Sequence, residues 1–145
     1  MSETLKETKL LAEQGDADAQ YRLGYMYFFG DGVPENKAKA AKWYRLAAEQ
    51  GNANAQYNLG VIYDNGHGIP ESDAEAVKWY RLAGEQGNVG AQYRLGYMYL
   101  FGDGVPENKT EAVKWYQLAA EQGDAGAQAR LRLALMSENT GGTER

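Results

Sequence analysis

The stretch ADAQYRLGYMYFFGDGVPENKAKAAKWYRLAAEQGN at residues 17–52 decides the fold, because the chain repeats it twice more with few changes. Residues 53–88 read ANAQYNLGVIYDNGHGIPESDAEAVKWYRLAGEQGN, and residues 89–124 read VGAQYRLGYMYLFGDGVPENKTEAVKWYQLAAEQGD. The three copies align without a gap. Trp43, Trp79 and Trp115 fall 36 residues apart, as do Gly24, Gly60 and Gly96, and Pro34, Pro70 and Pro106. A strict period of this length marks a stacked solenoid, in which each unit buries its apolar face against its neighbours.

Each unit reads as two helices. Asp16, Asn52 and Asn88 are N-cap types, and each follows a glycine (Gly15, Gly51, Gly87) suited to the left-handed C′ position of the preceding helix. The first helix runs from about Ala17 to Phe29, and Gly30-Asp31-Gly32-Val33-Pro34 breaks it. Asn36, Ser72 and Asn108 are placed to cap the second helix, with Glu75 and Glu111 three residues on in a capping-box pattern. Ala19, Leu23 and Tyr27 form one apolar stripe, and Ala40, Trp43 and Ala47 form the matching one. Gly24 costs a helix interior roughly 1 kcal/mol against alanine, so its recurrence implies close approach of the paired helix. The indole then reads as a knob between successive units. No segment shows a strand period, so the fold expected is all-α.

The ends read as caps. Residues 1–16 form an N-terminal capping half-repeat in the register of a second helix, with Glu7 where the tryptophan stands. Residues 125–137 form a C-terminal capping helix with Arg132 in the glycine position, an expectation of solvation on one side. About eight helices result, in one domain over 1–137, and residues 138–145 are expected to be a disordered tail.

Composition bounds the function. A net charge of −5 argues against nucleic acid or an anionic membrane as partner, since both are bound chiefly through lysine and arginine. The absence of cysteine excludes disulfides, thiolate catalysis and cysteine-ligated zinc. No apolar run is long enough for membrane insertion, and residues 1–11 lack the apolar stretch of a secretory signal. A cytoplasmic location is therefore expected, or a periplasmic one for a processed chain.

The motif A-x-x-x-L-G-x-x-Y, then G-x-G-V/I-P, then A-x-x-W-Y-x-L-A and Q-G closely resembles the Sel1-like repeat, a relative of the tetratricopeptide repeat. Ala19, Leu23, Gly24, Tyr27, Gly30, Gly32, Ala40, Trp43, Tyr44 and Gly51 carry it, with equivalents in both later copies. The resemblance implies a right-handed α/α superhelical solenoid and an adaptor or scaffold that binds other proteins, in a family common in bacteria. It also implies that first helices line the concave surface. Some cysteine-rich relatives are linked to β-lactam hydrolysis, but this chain has no cysteine and no Ser-x-x-Lys motif.

On the first helices, the face away from the Leu23/Tyr27 stripe carries aromatics where a solvated face carries charge. Tyr21, Tyr25, Phe28, Tyr57, Tyr93, Tyr97 and Phe101 are the candidate partner-binding residues. Asp64 joins them as a polar break able to select a polar group of the ligand. Partial burial between neighbouring helices is the structural alternative for each ring. On the second helices Arg45–Glu49 and Arg81–Glu85 read as surface i, i+4 pairs.

Little points to catalysis. His67 is the only histidine, between two glycines, and has no neighbouring ligand type to complete a zinc set. Ser2, Ser72 and Ser137 have no base nearby in sequence, and the Gly-Asp-Gly loops lack the Gly-Lys-Ser/Thr of a phosphate loop. The function expected is a non-enzymatic protein- or peptide-binding module, monomeric, with no cofactor, metal or nucleic acid. Self-assembly of the repeats is the alternative, and a hydrolase a distant third.

Overall fold

The computed structural model describes residues 3–143, with side chains described through residue 136. Among the described residues there are eight helices and no strand: α1 (Glu3–Glu13), α2 (Ala17–Phe29), α3 (Lys37–Glu49), α4 (Ala53–Asn65), α5 (Asp73–Glu85), α6 (Val89–Phe101), α7 (Lys109–Glu121) and α8 (Ala125–Thr143). Substantial contacts join only helices adjacent in the chain, which is the solenoid expected. α8 runs past residue 137, into the stretch expected to be a disordered tail. No proline follows Pro106 to stop it. Residues 144 and 145 of that stretch lie outside the described residues.

The caps account for the helix boundaries. The Asp16, Asn52 and Asn88 side chains each accept from the backbone N–H three residues on, at 2.9 Å. Gly51 has φ +96°, its N–H donates to the Ala48 carbonyl, and the Asn52 N–H donates to the Ala47 carbonyl. These bonds make a Schellman motif, and Asn52 closes α3 while opening α4. The capping box forms only by half. Ser72 Oγ accepts from the Glu75 N–H at 3.2 Å, but the Ser72 N–H is taken by the Tyr63 carbonyl. The Glu75 carboxylate turns instead to accept from the Trp79 indole at 3.2 Å.

Within a repeat the helices meet at the recurrent glycine. A Cβ on Gly24, Gly60 or Gly96 would lie 2.7 Å from the ring of Tyr44, Tyr80 or Tyr116 respectively. The glycine thus makes room for the tyrosine beside the tryptophan. Trp115 packs between units, its ring 3.0 Å from a Cβ placed on Gly84. Trp79 and Trp115 are buried, whereas Trp43 is half-buried, with Lys39 standing where Glu75 holds Trp79.

A glutamine ladder runs through the stack. Gln20, Gln56 and Gln92 are buried; Gln56 donates to the Ala48 carbonyl and accepts from Gln86 Nε2, which also donates to the Gly51 carbonyl. The flanking repeats copy this arrangement. Arg45 and Arg81 also cross between repeats, donating to the hydroxyls of Tyr63 and Tyr99. They do so in place of the ion pairs expected with Glu49 and Glu85, because the next repeat brings a phenol within their reach.

Candidate functional site

The aromatic wall lies along α2, α4, α6 and α8, where successive repeats meet at three junctions. At the α2/α4 junction Tyr21, Tyr25, Phe28 and Phe29 face Tyr57, Asn58 and Val61 across an open pocket of about 280 Å³, with Tyr44 also in its lining. Tyr21 packs on Tyr44 with ring centres 5.8 Å apart, and Tyr57 packs on Tyr80 at the same distance. Tyr25 and Phe29 meet at a tilt with ring centres 4.7 Å apart and remain 42% and 59% exposed. Phe28 meets Phe29 edge-on at 4.8 Å and the His67 ring at 5.6 Å, so the lone histidine flanks this wall. The Lys37 ammonium lies 3.9 Å from the Phe28 ring centre.

The α4/α6 junction is filled by charge. Arg94 Nε donates to Asp64 Oδ2 at 2.7 Å, Arg94 Nη2 lies 3.6 Å from Asp103 Oδ2, and the Tyr80 hydroxyl donates to Asp64 at 3.1 Å. Burial works against the charge on Arg94, but the Asp64 carboxylate outweighs it and raises the guanidinium pKa above its ordinary value. Burial and the same carboxylate push the Tyr80 hydroxyl upward. Asp64 is therefore committed to its own chain. The polar break read at Asp64 is met by Arg94, one repeat on.

At the α6/α8 junction Arg130 lies over the rings and, with Leu100, Phe101 and Leu133, also lines an open pocket of about 430 Å³. Its guanidinium carbon lies 5.7 Å from the Tyr97 ring centre and 5.6 Å from that of Phe101, and interaction with Tyr93 raises its pKa above the ordinary value. Leu100 occupies the place of Asp64, and the buried Tyr116 hydroxyl has no hydrogen-bond partner among the described residues. Burial pushes that hydroxyl up to about 12.

Tyr21, Tyr25, Phe28 and Tyr57 thus share one open pocket, while Tyr93, Tyr97 and Phe101 sit together around an arginine of the chain itself. Asn58, Arg94 and Arg130 distinguish the three junctions, and none is among the partner-binding candidates read from sequence. The signal lay in the register, where Arg22, Asn58, Arg94 and Arg130 follow one another at the repeat period. Among the described residues, no group of three or more His, Cys, Asp or Glu is placed to hold a metal ion, and no helix is long and apolar enough to cross a membrane.

The Sel1 repeat family profile matches residues 17–52, 53–88 and 89–124. Among solved structures, the chain is similar to a Sel1 repeat protein from Oxalobacter formigenes, with 47% identity, a TM-score of 0.80, and coverage of 83% of this chain and 49% of that one. It is also similar to c5321, described as a protective antigen present in uropathogenic Escherichia coli strains and displaying the same repeat fold. There the identity is 45%, the TM-score 0.83, and the coverage 85% and 26%. Cysteine rich protein B of Helicobacter pylori is matched at 25% identity and TM-score 0.69, over 87% of this chain and 96% of that one. The chain thus spans less than two thirds of the first two proteins. No curated protein matches it in sequence.

Proposed function

The chain belongs to the Sel1 repeat family, and from that premise we propose that it is a non-catalytic adaptor or scaffold that takes a protein or peptide along its wall of first helices. Sel1 repeats are in the main non-enzymatic scaffolds that mediate protein interactions. The observation that supports the groove is the run of aromatics left in water there: Tyr25 is 42%, Phe29 59% and Phe101 54% exposed. Large exposed rings on one wall are of the kind found at partner surfaces, and tyrosine adds a hydroxyl to its contact area at low entropic cost. The test is affinity capture from source cells with mass-spectrometric identification, followed by the double variant Tyr25→Ser/Tyr97→Ser. Capture is expected to be lost at unchanged helicity. Retained capture would move the contact off this wall.

A second reading, end-to-end self-assembly, is favoured by apolar side chains exposed at both ends of the stack. Leu10 and Leu11 on α1 are 57% and 45% exposed, and Leu133 and Met136 on α8 are 62% and 63% exposed. The ends are thus less polar than Glu7 and Arg132 alone imply.

A further inference from the structure

We infer that the open pocket between α2 and α4 receives the guanidinium of an arginine carried by the protein partner. This rests on the groove function proposed above and gives it a chemistry. The chain supplies its own precedent. At the α6/α8 junction the Arg130 guanidinium lies over Tyr97 and Phe101. Two repeat periods earlier the same register positions hold Tyr25, Phe29 and Tyr21, the same residue types, with Tyr44 in the place of Tyr116. Four lining residues differ between the two junctions, Phe28/Leu100, Tyr57/Ala129, Asn58/Arg130 and Val61/Leu133, and Asn58/Arg130 is the pair that changes charge. Asn58 stands where Arg94 and Arg130 stand in the later repeats, and its short side chain lines the open volume of about 280 Å³.

Guanidinium also occupies the middle junction, where Arg94 is held by Asp64 and Asp103. An arginine of the chain itself thus lies against the carboxylates of the second junction and over the rings of the third, and among the described residues the rings of the first have none. The face of a phenol or phenyl ring attracts a cation, arginine more often than lysine, and needs no carboxylate to do so. Among the described residues no cation lies over Tyr21, Tyr25 or Phe29. Lys37, which covers Phe28, is tied to Glu35 at 3.2 Å and to the Phe28 carbonyl at 3.2 Å. The net charge of −5 favours approach of a basic segment.

The experiment titrates N-acetyl-arginine amide into the isotope-labelled chain and follows amide chemical shifts. Saturable shifts are expected at Tyr21, Tyr25, Phe29 and Tyr57. The citrulline counterpart, of the same shape but uncharged, should bind about fivefold more weakly or less. Asn58→Arg copies the later repeats, fills the pocket from within, and should remove binding at unchanged helicity. Tyr25→Leu keeps apolar volume without the π face and should weaken binding about fivefold, which serves if Asn58→Arg does not fold. Absent arginine shifts, equal binding of citrulline or of N-acetyl-leucine amide, or binding that survives both substitutions would each overturn the inference. Should arginine fail while Tyr25→Ser/Tyr97→Ser still abolishes partner capture, the groove stands and only its arginine specificity falls.

Discussion

Gly60 shows how two opposed residue-scale effects are settled by distance. Alanine in a helix interior gains roughly 1 kcal/mol over glycine, yet its Cβ at Gly60 would stand 2.7 Å from the Tyr80 ring, which is buried and cannot retreat. Overpacking of a closed core costs about 1–3 kcal/mol, so Gly60→Ala is expected to destabilise on balance, read as a lowered chemical-denaturation midpoint. A raised midpoint would mean that the tyrosine yields. The need for a small residue was legible in the sequence, because three glycines recur inside helical stretches. Its cause was not, because Trp79 and Tyr80 are adjacent aromatics and helical spacing alone does not say which of them faces α4. The same limit applies to the wall. Tyr21, Tyr25, Phe28 and Tyr57 could be picked out as rings facing away from the stripe, but whether they border open space depends on the length of the side chain at residue 58 in the next helix.

At the scale of elements, the caps were the most legible feature, since a glycine followed by Asp or Asn leaves the backbone few options. Each first helix ends at the glycine-proline break read from sequence, and there too on a left-handed glycine: Gly30, Gly66 and Gly102 have φ of +67°, +68° and +65°. What the period could not reveal is which groups bond across it. Buried Gln56 and the Arg45–Tyr63 contact join different helices, and each residue alone reads as ordinary helix surface. The tryptophan belongs to this scale, because it seals one repeat to the next. Trp79→Ala is expected to cost about 3–5 kcal/mol, seen in the urea midpoint, with loss also of the indole bond to Glu75. A cost under about 1 kcal/mol would place the inter-repeat contact elsewhere.

Across the whole molecule the exposed ends decide between a solitary chain and a growing filament. A head-to-tail contact that does not close makes an open polymer. Glu7 and Arg132 are exposed beside the apolar groups at either end, so a single species is expected at all concentrations in sedimentation velocity. Growth with concentration that Leu133→Ser reverses would favour the assembly reading instead. The family and its architecture were recoverable from the repeat alone. The difference among the three junctions, with an arginine held by carboxylates at the second, an arginine over rings at the third and neither at the first, appears only when the helices are set side by side. The shared cap at Asn52 has a consequence for heredity. With one residue serving as both the end of α3 and the start of α4, a single-residue insertion or deletion there damages two elements at once, whereas losing or gaining an entire 36-residue unit leaves every joint intact. Such a chain tolerates unequal crossing-over far better than small indels, and its length should drift in whole modules.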